Sequence, residues 1–302
     1  MFVLAHLSDP HLGPLPKARM VDLASKRVLG YINWQRSRRS VHRLDVLDAV
    51  TQDVKAQAPD HIAVTGDVVN IALAAEFTQG RAWLVRLGSP RDVTLVPGNH
   101  DAYVRSALRQ HGLHWGDYMR ADDGAAVAGE VSFPFVRRRG PVALIGLSSA
   151  IPTAPFMATG RLGAGQLQRL ATILAGLSAE SVFRVLLIHH PPLSAPAHRF
   201  KWLADAKDLR AQLAQMGADL VIHGHDHVHS LVWLDGPAGR IPALGVPSAS
   251  AAPGRKHKAH QRAAYNLYRI DGAPGAWNCE AISRGYHAGS ERIVELERRK
   301  LT

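Results

Sequence analysis

Six short apolar runs, each rich in Val, Ile and Leu and bounded by turn residues, constrain the fold of this chain most strongly. They predict buried strands at Phe2–Leu7, His61–Thr65, Asp92–Val96, Val142–Leu147, Val185–Ile188 and Leu220–Ile222. Helical patterns between them cover Leu44–Ala56, Ala72–Leu87, Gly165–Leu177 and Lys207–Met216. Strands that alternate with helices are typical of right-handed βαβ units, in which helices cover the sheet faces. The predicted fold class is therefore α/β.

Four further apolar runs follow residue 230 without helical patterns between them. They are Ser230–Trp233, Ile241–Gly245, Ala264–Ile270 and Trp277–Ile282. Strands joined by turns alone favour antiparallel pairing, so these runs predict a second, largely antiparallel sheet. The length permits one large domain or two smaller ones, and no internal repeat is visible. We predict a single domain over residues 1–302, with a mainly β part at about 230–285.

A basic insert at about 14–43 interrupts the alternation. It combines apolar and aromatic residues with eight cations, which are Lys17, Arg19, Lys26, Arg27, Arg36, Arg38, Arg39 and Arg43. One interpretation is a solvated helical face packed by its few aromatic side chains. The other is a basic amphipathic helix pair that rests on a membrane surface or covers a site entrance. We favour the first because basic helices are common in strongly basic proteins.

The composition limits the partners and the compartment. The chain has 36 Lys and Arg against 25 Asp and Glu, and the net charge of +11 attracts phosphate-bearing molecules in general. No nucleic-acid-binding signature accompanies this charge, so a nuclease would rest on charge alone. Cys279 is the only cysteine, which excludes intrachain disulfides and thiolate metal clusters. Without a signal-peptide pattern or an apolar stretch of ~20 residues, we expect a cytoplasmic protein, free or peripheral to the inner face of the membrane.

Side chains of metal-ligand type follow five of the predicted strands at the point where each strand ends. They are Asp9, His11, Asp67, Asn99, His189, His225 and His227. Each has an ordinary explanation when taken alone, such as a turn or cap residue for Asp9 or a buried imidazole for His189. Sites in α/β sheets collect outside the carboxyl ends of strands, however, and one shared site explains all five positions together. We leave His190, His223 and His229 out of the set.

The donor types narrow the choice of metal. Two carboxylates, one amide oxygen and four imidazoles form a mixed nitrogen and oxygen set without thiolates. Such a set suits Mn, Fe or Zn, whereas an oxygen-only Mg or Ca site would not need four histidines.

The ordered blocks Asp9-x-His11, Gly66-Asp67, Gly98-Asn99-His100-Asp101, His189 and Gly224-His225-Asp226-His227 resemble the calcineurin-like metallophosphoesterase superfamily. The resemblance covers residues 4 to about 250 and is strongest to the branch of class III cyclic nucleotide phosphodiesterases and glycerophosphodiesterases. It implies a four-layered α/β/β/α sandwich of two mixed sheets. It also implies two divalent or trivalent transition metal ions per chain, with Asp67 as the shared ligand. Asp9, His11, Asp67 and His227 would hold one ion, and Asp67, Asn99, His189 and His225 the other.

The resemblance gives catalytic roles to two more residues. His100 would contact the substrate phosphate or act as general acid, and Asp101 would orient it. The implied activity is phosphodiester hydrolysis by in-line attack of a metal-bridging hydroxide. The expected partner is a small phosphodiester: a cyclic nucleotide, a glycerophosphodiester or a nucleotide-linked lipid. A scaffold that binds metal or anions without catalysis is the alternative, although none of the seven ligands is substituted.

Overall fold

The computed structural model describes residues 1–124, 129–193, 200–252, 262–287 and 292–302. Its strands are β1 (Phe2–Leu7), β2 (His61–Val64), β3 (Val93–Leu95), β4 (Phe135–Arg139), β5 (Val142–Gly146), β6 (Phe183–Leu187), β7 (Leu220–His223), β8 (Ser230–Gly236), β9 (Gly239–Gly245), β10 (Ala264–Ala273), β11 (Ala276–Tyr286) and β12 (Ile293–Lys300). Its α-helices are α1 (Arg27–Asn33), α2 (Arg39–Val41), α3 (Leu44–Ala56), α4 (Ala74–Leu87), α5 (Leu108–Trp115), α6 (Ala164–Ser178) and α7 (Ala206–Met216). The six strands predicted before residue 230 are all present.

The strands form two mixed six-stranded sheets. The first has the order β12-β11-β10-β1-β2-β3 and the second β4-β5-β6-β7-β9-β8. Neighbours are parallel from β1 to β3 and from β5 through β7 to β9, and antiparallel elsewhere. The prediction that the late strands form a separate antiparallel sheet is wrong. They are shared between the sheets, because β9 pairs with β7 and β10 pairs with β1.

The two sheets pack face to face and each carries helices on its outer face. Phe183 of β6 and Trp277 of β11 meet edge to face across the sheets, with ring centroids 5.8 Å apart. Successive residues of a strand point to opposite faces, so Leu186 of β6 packs instead with Leu170 of α6 and Leu209 of α7. Side chains of α3 and α4 belong to the core cluster of the first sheet. The α/β fold and its four layers are therefore confirmed.

The insert between β1 and α3 is helical in two places. A 3-10 turn covers Met20–Leu23, and a π-helical segment, Trp34–Arg38, joins α1 to α2. Trp34 is the buried anchor of this run. The guanidinium of Arg27 donates to the carbonyl oxygens of Ile71 and Ala72 and so ties the insert to the loop that follows β2. Within the described parts of the chain, no helix is long and apolar enough to cross a membrane.

Candidate metal centre

The seven candidate ligands meet at one end of the two sheets. Asp9 and His11 follow β1, Asp67 follows β2, and Asn99 follows β3 of the first sheet. The other three, His189, His225 and His227, follow β6 and β7 of the second sheet. The parallel strands of both sheets point their carboxyl ends in the same direction, and the loops beyond those ends form the site.

The backbone is strained at most of these positions. Among the described non-glycine residues, positive φ angles occur at Asp9, His11, Ala58, Asp67, Ala72, Phe156, His225 and His227, so five of the eight are candidate ligands. A non-glycine residue in this conformation is costly and persists only where the surroundings hold it. Such strain is concentrated at functional sites in folded proteins. The loops are therefore held in an unfavourable conformation that points their side chains inward.

The first group of donors surrounds Asp9. Ligand atoms of Asp9, His11, Asp67 and His227 all lie within 4.8 Å of one another. His227 Nε2 is 3.0 Å from Asp9 Oδ1 and 3.3 Å from His11 Nε2, while His11 Nε2 is 3.7 Å from Asp67 Oδ2. These four residues are the first of the two sets implied by the resemblance.

The second group of donors lies on the other side of Asp67. His189 Nε2 is 3.4 Å from Asp67 Oδ2 and 3.2 Å from Asn99 Oδ1. His225 Nδ1 is 2.9 Å from Asn99 Oδ1 and 3.2 Å from His189 Nε2. The Asp67 carboxylate contacts both groups, since Oδ2 faces His11 as well as His189.

Backbone carbonyls orient three of the imidazoles. His11 donates Nδ1–H to Val69 O at 3.2 Å, and His189 donates Nδ1–H to Thr65 O at 2.6 Å. His225 is turned the other way and donates Nε2–H to Lys201 O at 2.9 Å. Each ring therefore directs its remaining nitrogen lone pair toward the centre, as a metal-binding histidine does. Two lone pairs 3.2 Å apart, on His189 and His225, repel each other unless a cation or proton lies between them.

The charge balance of the centre also calls for cations. Burial opposes ionisation, but the neighbouring His227 holds the pKa of Asp9 below its usual value. The pKa of Asp67 is likewise well below normal because His189 and His100 outweigh its burial. For His189, burial would lower the pKa, yet Asp67 and Asp9 raise it to about 10, so a metal ion would bind in place of a proton on Nε2. Two buried carboxylates thus keep their charge, and the donor set fits transition metal ions.

Asp101 holds the Asp67 loop. Its carboxylate accepts backbone N–H groups from Asp67 at 2.8 Å, Val68 at 2.9 Å, Val69 at 3.1 Å and Gly98 at 2.8 Å. Gly98 has to be glycine, because a Cβ there would collide with the Asp67 carboxylate. Asp101 was expected to orient His100, and the hydrogen bonds described for it instead position the backbone of two loops that carry ligands.

His100 is held by the backbone and by the insert. Its Nδ1–H donates to Asn70 O, and its Nε2 accepts a hydrogen bond from Arg38 Nη1 at 2.9 Å. Burial and the adjacent Arg38 lower the pKa of His100 to about 4. The ring is therefore neutral near pH 7, and its proton is used by Asn70. Both a hydrogen bond to phosphate and donation of a proton to a leaving group need a proton on Nε2, which a bound phosphate anion beside the ring favours.

Two insert residues lie in the centre that were not singled out from the sequence. Arg38 donates from Nη2 to His11 Nε2 at 2.9 Å, in addition to its bond with His100. His42 lies 4.5 Å from His11 between ring centroids and forms a further group of candidate ligands with His11 and His227. Arg38 is one of eight cations in the insert, so the sequence does not distinguish it. His42 is the only histidine of the insert and could have been recognised as a candidate ligand on that ground.

Both ring nitrogens of His190 bond to residues outside the set of candidate ligands. Its Nδ1 is 2.7 Å from Ser149 Oγ, and its Nε2 donates to Ala158 O at 3.0 Å. Both ring nitrogens are engaged, and burial lowers its pKa to about 3. His190 therefore presents no free ring nitrogen to the centre.

A cleft of about 760 Å³ opens above the centre. Its floor includes Asp67, Asn99, His100, His225 and His227. The insert forms one wall and residues 154–158 form the other, so the floor lies between them.

Comparison with known proteins agrees with this arrangement. The family model described as calcineurin-like phosphoesterase matches residues 2–229, which include all seven candidate ligands. Because the match covers most of the chain, the protein belongs to the calcineurin-like phosphoesterase family, a family of metal-dependent phosphoesterases. No curated protein sequence matches the chain.

Solved structures share the fold at low sequence identity. A dimetal phosphatase from Danio rerio superposes with a TM-score of 0.60 at 12% identity, covering 97% of this chain and 98% of that one. Purple acid phosphatase PPD1 from yellow lupin gives the same TM-score and identity over 97% of this chain and 52% of that one. GAP50, described as the anchor in the inner membrane complex of Plasmodium, gives 0.53 at 11% identity over 99% and 88%. At these identities the likeness concerns the fold alone.

Proposed function

We propose that this protein is a phosphodiesterase that uses two transition metal ions bound by Asp9, His11, Asp67, Asn99, His189, His225 and His227. The observation that carries the proposal is the position of Asp67, whose carboxylate lies between two groups of converging donors. A single carboxylate shared by two such groups is the arrangement expected of a dinuclear centre. Mn, Fe and Zn remain the candidate metals.

When bound, a pair of such ions polarises phosphoryl oxygens and supplies a water-derived nucleophile at neutral pH. The protein positions the substrate around that chemistry. Cationic Arg38 faces the floor of the cleft and can donate to the non-bridging oxygens of the phosphate, and His100 can do so as well when its Nε2 carries a proton. Because His11 Nε2 cannot bind a metal ion and accept from Arg38 at the same time, a bound ion would displace Arg38 from His11 and leave His100 as its partner.

A diester is the favoured substrate for two reasons. The cleft is open above the centre and bordered by two walls, which leaves room for a second substituent on phosphorus. Its walls are also partly apolar, which suits a singly charged diester better than a doubly charged monoester. Cyclic nucleotides, glycerophosphodiesters and nucleotide-linked lipids are the candidate classes.

The test is a comparison of bis-p-nitrophenyl phosphate with p-nitrophenyl phosphate, after removal of metals and reloading with Mn²⁺, Fe²⁺ or Zn²⁺. We expect turnover of the diester with at least one metal and a higher kcat/KM than for the monoester. Faster hydrolysis of the monoester would make the protein a phosphomonoesterase. No turnover with any metal would favour a non-catalytic scaffold, and degradation of DNA or RNA strands at higher efficiency would favour a nuclease.

A further inference from the structure

Four exposed apolar side chains line the cleft, on both of its walls. Leu29 and Ile32 of the insert are 38% and 40% exposed, and on the opposite wall Phe156 is 88% and Met157 40% exposed. All four line the cleft. Large side chains of this kind, grouped around a polar floor, mark a binding surface more often than chance exposure does.

The two walls are joined to each other. Lys26 donates from Nζ to Thr153 O at 2.8 Å, which connects the insert to the loop that carries Phe156. The same ammonium lies 4.4 Å from the centre of the Tyr103 ring. The loop that carries Phe156 is also joined to residues 200–202, because Ala158 N–H donates to Phe200 O at 2.8 Å. The apolar side chains of the two walls therefore belong to one connected rim.

Phe156 is held in an unusual conformation. Its φ of 65° is rare for a bulky residue, and its ring is exposed although burial would stabilise it. The exposed ring adds no buried apolar surface to the hydrophobic core. A ligand that covers the ring would recover the hydrophobic contribution that the folded chain alone does not have.

Cations line the cleft together with these apolar groups. Lys26, Arg36 and Lys201 lie around it, and Arg38 lies deeper, beside His100. A ligand complementary to this surface is negatively charged at the end that reaches the floor and apolar along the part that meets the rim. The aliphatic side chains of Leu29, Ile32 and Met157 suit a flexible hydrocarbon chain.

We propose that the substrate is an amphiphilic phosphodiester, with its phosphate at the centre and its hydrocarbon chain against Leu29, Ile32, Phe156 and Met157. This rests on the proposed phosphodiesterase activity and narrows its substrate class. Among these four rim residues a nucleobase would meet one aromatic ring, Phe156, and no polar side chain to read its edge, whereas a hydrocarbon chain needs no hydrogen bonds.

The experiment compares methyl and decyl p-nitrophenyl phosphate with the metal-loaded protein, below the concentration at which the decyl ester forms micelles. Water and the diester give p-nitrophenol and an alkyl phosphate, so one P–O bond breaks in both substrates. Each methylene that leaves water can raise kcat/KM by up to about fourfold. Because the rim is half open, we expect the decyl ester to exceed the methyl ester by at least about tenfold.

Substitutions in the rim test whether the preference for the decyl ester arises there. In Phe156→Ser and Ile32→Ser the ratio of decyl to methyl kcat/KM should fall at least about threefold. The matched control is Val85→Ser, a 57% exposed apolar residue of α4 outside the cleft, which should keep the wild-type ratio. Equal rates for the two esters, or a ratio that the rim variants leave unchanged, would overturn the inference.

The p-nitrophenyl ester of thymidine 5′-phosphate gives a second comparison. We expect it to resemble the methyl ester, and a kcat/KM above that of the decyl ester would instead assign the rim to a nucleoside. Failure of the underlying phosphodiesterase proposal is recognisable separately, because then neither the methyl nor the decyl ester is hydrolysed with any metal.

Discussion

The Asp101 carboxylate accepts the backbone N–H of Asp67 at 2.8 Å, and a second N–H, from Gly98, reaches the same oxygen at the same distance. The loop after β2 and the loop after β3 are thereby locked together beneath the candidate ligands. Burial and the nearby Asp67 raise the pKa of Asp101 to about 7 without bound cations. Positive charge at the centre would favour its ionised form, so metal binding and this interaction support each other.

Replacement of Asp101 tests that link. Asp101→Asn replaces one acceptor oxygen by an N–H₂ group that faces backbone donors, so we expect the free energy of unfolding to fall by about 1–3 kcal/mol. Metal affinity should fall as well, because the Asp67 loop loses its support. Urea denaturation and metal titration measure the two effects. The exposed Asp123→Asn is the control, and a variant with unchanged stability and affinity would contradict the structural role.

Arg38 is expected to act on the substrate from the insert. Arg38→Ala removes a charge-assisted donor beside His100 and should lower kcat/KM by about 10–100-fold while metal content stays at the wild-type level. Arg39→Ala removes the same charge from an exposed position of the same helical run and should change kcat/KM by less than about twofold. Equal losses in both variants would reduce the effect to general electrostatic attraction.

His100 is expected to act on the reaction without holding metal. His100→Ala should keep the metal content and slow turnover by about 10²–10⁴-fold, the range for loss of a group that assists the transition state. Elemental analysis and steady-state kinetics on bis-p-nitrophenyl phosphate separate the two properties. Loss of metal in proportion to loss of activity would instead make His100 part of the ligand shell.

A buried histidine remote from the centre predicts how stability depends on pH. His61 bonds with Thr94 Oγ1 at 2.7 Å, and burial lowers its pKa from 6.5 to about 3. The unfolded chain therefore takes up this proton at a higher pH than the folded chain, so the stabilising contribution is complete above pH 6.5 and is lost as the pH falls toward 3.

Between pH 7 and pH 5 the contribution of His61 to the free energy of unfolding should fall by about 2 kcal/mol. His61→Gln lacks the titrating group. Over this interval its free energy of unfolding should therefore fall by about 2 kcal/mol less than that of the wild type. The exposed His287→Gln serves as the control. Parallel pH profiles for His61→Gln and the wild type would contradict the prediction.

The interior strands were predictable because their environment is uniform. β1 and its parallel neighbour β2 are buried on both faces, and this produces continuous apolar runs. Two edge strands were not recognised. β4 reads Phe-Val-Arg-Arg-Arg, and β12 carries charges along most of its length. Charged side chains protect open sheet edges from pairing with other chains, and they also remove the apolar pattern that identifies a strand.

The candidate ligands were predictable because they directly follow strands. Once the strands are recognised in the sequence, the residues after them are expected at the carboxyl end of the sheet. The contributions of Arg38 and His42 depend instead on how the insert folds back over the centre. No local pattern distinguishes Arg38 from its exposed neighbour Arg39. The partition of the late strands was also not predictable, since pairing between distant segments is decided by packing and not by propensity. Membrane contact by the insert stays the less favoured interpretation, and liposome flotation can test it.

The most direct test of the account is the metal content of Asp67→Ala. The wild-type protein should hold two transition metal ions per chain by elemental analysis, and exposed Asp208→Ala should match it. Because Asp67 lies between both donor groups, its replacement should remove both ions together with essentially all hydrolysis of bis-p-nitrophenyl phosphate. Retention of two ions per chain in Asp67→Ala would contradict the shared role of this carboxylate.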